Sequence, residues 1–317
     1  MRLPTSVGVE AAARAVAAVV SPTPLLPFEH GGATIFAKAE SLQPTGAFKL
    51  RGAWHRLSAL DEAERERGVV AFSSGNHAQG VAWAAVRLGI EATIVMPGDA
   101  PAGKVIGTRA LGATVVFYDR ATESREAIAE DLARERGATL VPSFDDPWIV
   151  EGQGSAGIEA TAQMAALGLA SPDLILACCG GGGLSAGLAL ACPQARIVVV
   201  EPEGWDDMGR SLSLGHIVPV APDAPPTACD ALMTRRVAQV TFDILSGRGA
   251  TGVAVSEREI EDAMRWAVTH LRLVVEPGGA VALAAVLCGR VQVTDRTLVT
   301  ISGGNVDPSY FAEVLGR

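Results

Sequence analysis

The chain has 317 residues, and its 49% hydrophobic, 19% charged and 5% aromatic residues are typical of a globular protein rather than a disordered, collagen-like or coiled-coil one. Lys and Arg total 26 against 35 Asp and Glu, so the formal net charge is −9 and no nucleic-acid partner is expected. The longest unbroken apolar run, Ala280–Cys288, has about nine residues where a bilayer helix needs about 20, so we expect no membrane span.

The N-terminus and the cysteines predict a cytoplasmic protein. Met1–Val9 lacks the apolar stretch and the small-residue cleavage site of a secretory signal. The five cysteines are an odd number without metal-ligand spacing, and the adjacent Cys178 and Cys179 cannot easily form a disulfide. Both features are typical of a reducing compartment.

Short β-branched runs alternate with longer Ala-rich segments, which predicts βαβ units in a doubly wound α/β fold. The predicted strands are Val69–Phe72, Ala92–Met96, Thr114–Phe117, Leu140–Pro142, Leu174–Cys178, Ile197–Val200 and Leu298–Ile301. The predicted helices are Asn76–Leu88, Pro101–Leu111, Glu123–Arg136, Gly152–Leu167, Leu184–Ala191, Glu257–Leu271 and Gly279–Leu287. Ser143–Trp148 and Pro219–Pro226 are predicted loops.

Lys49 lies between Phe48 and Leu50 at the predicted start of a helix. Loss of hydration and the positive end of a helix dipole both disfavour an ammonium, which lowers its pKa and frees an amine for a Schiff base. Taken alone, however, the segment Lys38–Ala53 is explained better by an ordinary solvated lysine.

Polar residues directly follow the predicted strand Val69–Phe72. Ser73-Ser74-Gly75-Asn76-His77 offers hydroxyls, an amide and the free N–H groups of a helix start, which together could receive a carboxylate. Ser and Asn are also good helix caps, so simple capping is the alternative.

Glycine-rich turns follow two other predicted strands. Gly180–Gly183 comes after Leu174–Cys178, and such a run lets backbone amides surround an anion at a helix N-terminus. The run lacks the Gly-Lys-Ser/Thr ending of a P-loop, and a tight turn is the alternative. Ser302-Gly303-Gly304-Asn305 follows the last strand, and strand carboxyl ends are where open α/β sheets bind ligands.

From Ser21-Pro22-Thr23-Pro24-Leu25 to Ser302-Gly303-Gly304-Asn305, the ordered motifs resemble the fold type II pyridoxal-phosphate (PLP) enzymes, in particular the serine/threonine dehydratase and serine racemase family. The resemblance implies a two-lobed, tryptophan synthase β-like α/β fold with mostly parallel open sheets. Residues 1–60 and 146–317 would form a large cofactor-binding domain, and residues 61–145 a small substrate-side domain.

The resemblance also implies a role for each motif. Lys49 would hold pyridoxal 5′-phosphate as a Schiff base and act as the catalytic base, and Ser74 would work on the opposite face in members that racemise. The cofactor-binding residues would be Phe48, Lys49, Asn76, Gly180, Gly181, Gly182, Gly183, Leu184, Glu276 and Ser302. The residues around the substrate carboxylate would be Ser73, Ser74, Asn76 and His77.

Ser302 matches the family residue that faces the pyridine nitrogen. A hydroxyl at this position can leave the nitrogen neutral, whereas an Asp would keep it protonated and make the ring a stronger electron sink. The resemblance therefore implies elimination rather than transamination.

The acidic loop Glu201-Pro202-Glu203-Gly204-Trp205-Asp206-Asp207 is similar to the metal loop of the family. There, Glu201, Asp207 and the main-chain carbonyl of Trp205 would bind magnesium or calcium, which prefer oxygen ligands. A solvated acidic loop without a metal is the alternative.

We therefore expect a PLP-dependent serine/threonine ammonia-lyase, which eliminates the β-hydroxyl of a 3-hydroxy amino acid to give a 2-oxo acid and ammonia; racemisation as a side activity stays open. The alternatives are a cysteine synthase-like β-replacement enzyme, a dehydratase for a larger substrate such as hydroxyaspartate or phenylserine, and a module that binds an anion without catalysis. The residues do not rank these substrates. The resemblance also implies a homodimer.

Overall fold

The computed structural model describes residues 2–73, 75–100 and 102–317. The strands in these residues are β1 Leu25–His30, β2 Ala33–Ala39, β3 Val69–Phe72, β4 Ala92–Pro97, β5 Thr114–Tyr118, β6 Thr139–Leu140, β7 Leu174–Cys178, β8 Arg196–Pro202, β9 Thr251–Val255 and β10 Thr297–Ile301. The helices are α1 Ser6–Ala17, α2 Lys49–Ser58, α3 Glu62–Arg67, α4 Asn76–Leu88, α5 Ala102–Ala110, α6 Arg125–Arg136, α7 Pro147–Ala166, α8 Gly183–Ala191, α9 Asp207–Leu214, α10 Gln239–Gly247, α11 Glu257–Trp266, α12 Pro277–Leu287 and α13 Pro308–Gly316. None of these helices is long and apolar enough to cross a bilayer.

The larger sheet has the strand order β1-β2-β10-β7-β8-β9. Only β1 and β2 pair antiparallel, and the other neighbours are parallel. All five residues of β7 and of β10 are buried, as expected for strands covered on both faces. Because parallel strands end at the same edge, the turns after β7, β8 and β10 lie along one side of this sheet.

The smaller sheet is wholly parallel, with the order β5-β4-β3-β6. Its buried apolar cluster also includes Val16 of α1 and Leu50 and Leu57 of α2, which pack with Val81 and Ile94. Helix α2 therefore links the core of this sheet to the first residues of the site. The division into domains at residues 60/61 and 145/146 stays a prediction.

The predicted α/β class with mostly parallel sheets is confirmed. Val69–Phe72, Leu174–Cys178 and Asn76–Leu88 have the bounds that the sequence predicts. Helix α2 does begin at Lys49, and α8 begins one residue before the predicted Leu184. These elements carry the motifs, so their positions fix the site.

Some predicted bounds are wrong, and strands β1, β2 and β9 are missing from the prediction. The strand predicted at Leu140–Pro142 ends at Leu140. The helix predicted from Gly152 begins at Pro147, because the Asp146 side chain accepts a hydrogen bond from the amide of Ile149 and caps it. Proline at the first helical position adds to this start.

Candidate active site

The start of α2 is tied to the end of β10. The amide of Phe48 donates a 3.1 Å hydrogen bond to the Ser302 carbonyl, and Ala47 forms an isolated bridge with Gly303. Phe48 and Ser302 are both buried. The contact holds Lys49, the first residue of α2, at the carboxyl edge of the larger sheet.

The Lys49 amine is available for chemistry. Its Nζ donates one hydrogen bond, 3.1 Å long, to the Ser143 carbonyl, and within the described residues it has no carboxylate partner. Burial lowers the pKa of this amine to about 8, although the nearby Cys178 and Cys179 act in the opposite direction and raise it. A neutral, nucleophilic amine is therefore accessible near neutral pH.

The chain has only two other lysines, and both are ion-paired. Lys38 is fully buried and donates to Glu159, Gln163 and the Thr23 carbonyl. Lys104 pairs with Asp230. Lys49 is consequently the lysine suited to covalent catalysis.

The glycine loop after β7 leaves its amides free. Gly182 has φ +88° and ψ 0°, the left-handed conformation, and it caps α8. Within the described residues, no amide N–H from Gly180 to Leu184 donates to a protein acceptor. Unpaired amides at a helix N-terminus are suited to an anion such as a phosphate ester.

The same loop is too crowded for side chains. A Cβ at Gly181 would lie 2.2 Å from the Phe144 ring, and one at Gly182 would lie 2.7 Å from Met208 Cε and 3.0 Å from Thr241. The Thr241 hydroxyl also donates a 2.7 Å hydrogen bond to the Gly181 carbonyl. Glycine is therefore required both by the backbone angle and by the neighbours.

Lys49 lines two adjoining cavities. One contains the glycine loop and its surroundings, with Phe48, Leu184, Glu276 and Ser302 in its wall. The other contains Ser73, Asn76 and His77. The structure thus brings the predicted cofactor residues and the predicted substrate residues around one amine, with Asn76 in the walls of both cavities, while Ser74 lies outside the described residues.

Asn76 is held by two neighbours. Its Nδ2 donates to Glu276 Oε1 at 2.5 Å, and its Oδ1 accepts from Asn305 Nδ2 at 2.8 Å. Glu276 Oε2 is buried and has no partner within the described residues. Burial, with repulsion from Asp230, raises the pKa of Glu276 to about 7, so this carboxyl exchanges its proton near neutral pH.

The hydroxyl of Ser302 contacts a thiol that the sequence interpretation missed. Cys178 Sγ donates to Ser302 Oγ across 3.1 Å, and both residues line the cofactor-side cavity. The two residues are 124 positions apart, and only the pairing of β7 with β10 brings them together. No local sequence pattern could have found this contact.

On the substrate side, His77 is neutral. Its Nε2 lies 2.9 Å from the Val141 carbonyl and must therefore donate to it, which leaves Nδ1 as an acceptor without a partner in the described part of the chain. Burial, and then Lys49, lower its pKa to about 3. The Ser73 hydroxyl accepts from the amide of Gly75 at 3.2 Å.

Two cations that the sequence interpretation did not select, Lys104 and Arg125, also line the substrate-side cavity. They lie on α5 and at the start of α6, far from the motifs in sequence. Arg125 stacks over the Phe72 ring and pairs with its neighbour Glu126. Asp230, which pairs with Lys104, lines the cavity as well, so Arg125 and Lys49 are the cations there without a carboxylate partner in the cavity wall.

The acidic loop brings two predicted metal ligands together. Glu201 accepts from the amides of Met208 and Gly209 at 3.1 and 2.8 Å, and Asp207 accepts from Val237 at 3.0 Å. Asp207 Oδ1 is buried without a partner among the residues that the structure describes. Burial, with repulsion from Asp207, raises the pKa of Glu201 well above its usual range.

The third predicted ligand is the Trp205 carbonyl. Trp205 is buried, and its indole N–H donates a 2.8 Å hydrogen bond to the Pro225 carbonyl. Burial raises the pKa of Asp207 to about 7. Within the described residues, no three His, Cys, Asp or Glu side chains are grouped as a metal centre. The metal therefore stays a prediction.

Comparison with known proteins places these features in context. Residues 16–303 match the family described as "Pyridoxal-phosphate dependent enzyme", a range that contains every motif from Lys49 to Ser302. The chain is 45% identical over 289 residues to the L-threo-3-hydroxyaspartate ammonia-lyase of Pseudomonas sp, covering 90% of this chain and 88% of that protein. It is 37% identical over 324 residues to the serine racemase of Schizosaccharomyces pombe, covering 99% of this chain and 98% of that protein.

A solved structure is similar over the same extent. The threonine deaminase of T.th. has a TM-score of 0.87 and 42% sequence identity, with 96% of this chain and 99% of that chain covered. The similarity therefore includes both sheets and the site between them.

Proposed function

The chain belongs to the family of pyridoxal-phosphate-dependent enzymes, as its motifs imply, and we propose that it is an ammonia-lyase acting on a 3-hydroxy amino acid. The observation that carries the proposal is the position of Lys49. Its amine lacks an ion-pair partner in the described residues and lines both the cavity of the free amides, suited to a phosphate, and the cavity that contains Arg125 and the ion pair of Lys104 with Asp230. The products would be a 2-oxo acid and ammonia.

The residues present fit the cofactor. The amides from Gly180 to Leu184 would hold its phosphate, Lys49 its aldehyde carbon, and Ser302 its ring nitrogen, with Phe48 and Asn76 beside the ring. When bound, the cofactor would supply an electron sink for the electron pair that remains on the α-carbon when the α-proton is removed. The chain itself supplies position and proton transfer.

Lys49 is the base that removes the α-proton. With its pKa lowered to about 8 by burial, a fraction of the amine is neutral at physiological pH and can accept a proton. Neutral His77 does not compete as a proton donor, since its pKa is lowered to about 3. Ser73 and Asn76 line the same cavity and would orient the substrate carboxylate.

Among the possible substrates, we propose one with a second carboxylate, such as 3-hydroxyaspartate. Lys104 and Arg125 line the cavity that contains Ser73 and His77, and a side-chain carboxylate would pair with Arg125, or with Lys104 in place of Asp230. The Pseudomonas relative, at 45% identity, is named for that substrate. Serine and threonine would bind without using these cations.

The substrate proposal is tested by kcat/KM for 3-hydroxyaspartate and serine in Arg125→Gln and Lys104→Gln. At least tenfold loss for hydroxyaspartate alone supports it, since a charge-assisted hydrogen bond contributes about 1.5–3 kcal/mol. Equal loss for both substrates would refute it. Arg109→Gln is the control, because Arg109 is exposed on α5, outside the cavity wall.

We propose that a divalent cation, magnesium or calcium, binds Glu201, Asp207 and the Trp205 carbonyl. The buried Asp207 Oδ1, unpartnered in the described residues, and the repulsion between the two carboxylates fit such an ion. Calcium should raise the melting temperature of the wild type but not of Asp207→Asn. Asp206→Asn is the control, and an equal response in Asp207→Asn would refute the site.

We also propose a cytoplasmic homodimer. All five cysteines are free thiols, and four are buried, which supports a reducing compartment. Leu42 and Val274 are 54% and 51% exposed, and Gly304 lies beside the Val274 carbonyl and beside Ser41, which precedes Leu42; these exposed apolar side chains support a face that a second copy covers. Sedimentation velocity should show a dimer that Val274→Asp weakens; a wild-type monomer would refute this.

The reaction is tested by release of ammonia and 2-oxo acid from 3-hydroxy amino acids without added thiol. A β-replacement enzyme would instead require the thiol, and an anion-binding module would release nothing. Lys49→Ala should abolish release, whereas Cys288→Ala, at an exposed position, should retain it. Chiral chromatography of the remaining substrate measures racemisation in the same reaction.

A further inference from the structure

Cys178 and Ser302 form a buried pair beside the cofactor-side cavity. Cys178 is the last residue of β7 and Ser302 directly follows β10, and these strands are parallel neighbours in the larger sheet. Each residue is only 4% exposed. Their strand ends bring Cys178 Sγ to 3.1 Å from Ser302 Oγ.

The direction of this hydrogen bond follows from the protonation of the thiol. Burial raises the pKa of Cys178 to about 11, although Ser302 and Lys49 act in the opposite sense; Glu276 raises it further. The thiol is therefore neutral and carries one proton, which it donates to Ser302 Oγ. A thiolate has no proton to donate and would instead accept a hydrogen bond from the serine hydroxyl.

The hydroxyl proton of Ser302 has no strong hydrogen-bond acceptor within the described residues. Its only protein acceptor in the described residues is the Gly278 carbonyl, at 3.5 Å. That distance is longer than the roughly 2.5–3.0 Å of an ordinary O–H···O hydrogen bond. The hydroxyl therefore accepts from Cys178 and keeps its own proton free to donate into the cavity that both residues line.

We propose that Cys178 is a positioning residue, which orients the Ser302 hydroxyl so that it donates a hydrogen bond to the ring nitrogen of the cofactor. The proposal rests on the proposed function in one respect, namely that the ring nitrogen faces Ser302. A nitrogen that accepts a hydrogen bond from Ser302 stays unprotonated, which makes the ring a weaker electron sink and favours prompt loss of the β-hydroxyl. Without the thiol, the hydroxyl can rotate and accept from a protonated nitrogen.

The hydrogen bond itself is tested in the cofactor-free protein by infrared spectroscopy of the S–H stretch. The Cys178→Ala difference spectrum assigns the Cys178 band, with Cys288→Ala as the control for an exposed thiol. The wild-type band should lie at a frequency lowered by hydrogen bonding and should move up in Ser302→Ala. A band that Ser302→Ala leaves unchanged would overturn the proposal, whatever the substrate of the enzyme.

The effect on the cofactor is tested by nuclear magnetic resonance of protein loaded with ¹⁵N-labelled pyridoxal phosphate. In Cys178→Ala the proton affinity of the ring nitrogen should rise about five- to tenfold, as expected when one hydrogen bond no longer favours the neutral form. Cys178→Ser, which restores a donor, should return it towards the wild-type value. Equal titration in the wild type and Cys178→Ala would overturn the proposal, whereas failure of the wild type to bind the label would contradict the proposed function instead.

Discussion

Replacing Gly182 by Ala tests whether the glycine loop is shaped for an anion. Gly182 has φ +88°, and the left-handed conformation costs a residue with a Cβ about 1–2 kcal/mol. The new methyl would also lie 2.7 Å from Met208 Cε and 3.0 Å from Thr241 Cβ. Overpacking of this kind typically adds about 1–3 kcal/mol.

The two contributions together predict that Gly182→Ala lowers the free energy of unfolding by about 2–5 kcal/mol. Gly289→Ala is the matched control, because Gly289 has φ +66° and its Cβ would meet no atom within 4 Å. We expect that control to lose only the conformational part, about 1–2 kcal/mol. The difference between the variants therefore measures crowding around the loop.

The assay is urea unfolding of the cofactor-free proteins, followed by equilibrium binding of pyridoxal phosphate. Gly182→Ala should also weaken cofactor binding, because relieving the clash displaces the free amides, whereas Gly289→Ala should not. The reasoning is refuted if the two variants have equal stability and bind the cofactor equally.

Three further predictions follow from the charges. An aldehyde should modify Lys49 of the cofactor-free protein faster as pH rises, with the rate levelling off above its lowered pKa of about 8; a plateau only near pH 10.5 would contradict the burial of this amine. The pKa of Glu276 is raised from 4.5 to about 7, so its protonated form contributes stability below pH 4.5 that is lost as pH rises through 7. Urea unfolding at a series of pH values should show that the free energy of unfolding changes by about 3 kcal/mol less over this range in Glu276→Gln than in the wild type. Identical curves for the two proteins would refute this. Burial raises the pKa of Glu40, but the ion pair with Arg51 outweighs it and holds that pKa at about 2. Arg51→Met should therefore lower the free energy of unfolding by about 3–5 kcal/mol, and the double variant Arg51→Met with Glu40→Gln should regain part of that loss. A double variant whose loss equals the sum of the two single losses would contradict the coupling.

The sequence predicted the parts of the site that follow buried parallel strands. Strand β7 is a continuous apolar run and β10 is rich in β-branched residues, and the turns after them carry Gly182 and Ser302. Local composition is sufficient there, because a strand end also fixes where the next residues lie. The assignment of roles to these turns depended on their resemblance to a family.

Other parts depend on tertiary packing that no local pattern records. Strand β1 contains Pro27 and is half exposed at an antiparallel edge, so its pattern of burial is weak. Lys104 and Arg125 reach the cavity from separate helices. The contact between Cys178 and Ser302 depends on the order of strands in the larger sheet.

The most direct test is to find which lysine forms an adduct with the cofactor. The protein would be incubated with pyridoxal phosphate, reduced with borohydride, digested and mapped by mass spectrometry over Lys38, Lys49 and Lys104, its three lysines. We expect a single adduct at Lys49, together with loss of activity. An adduct at Lys104 alone, or none at Lys49 under any condition, would contradict the central claim.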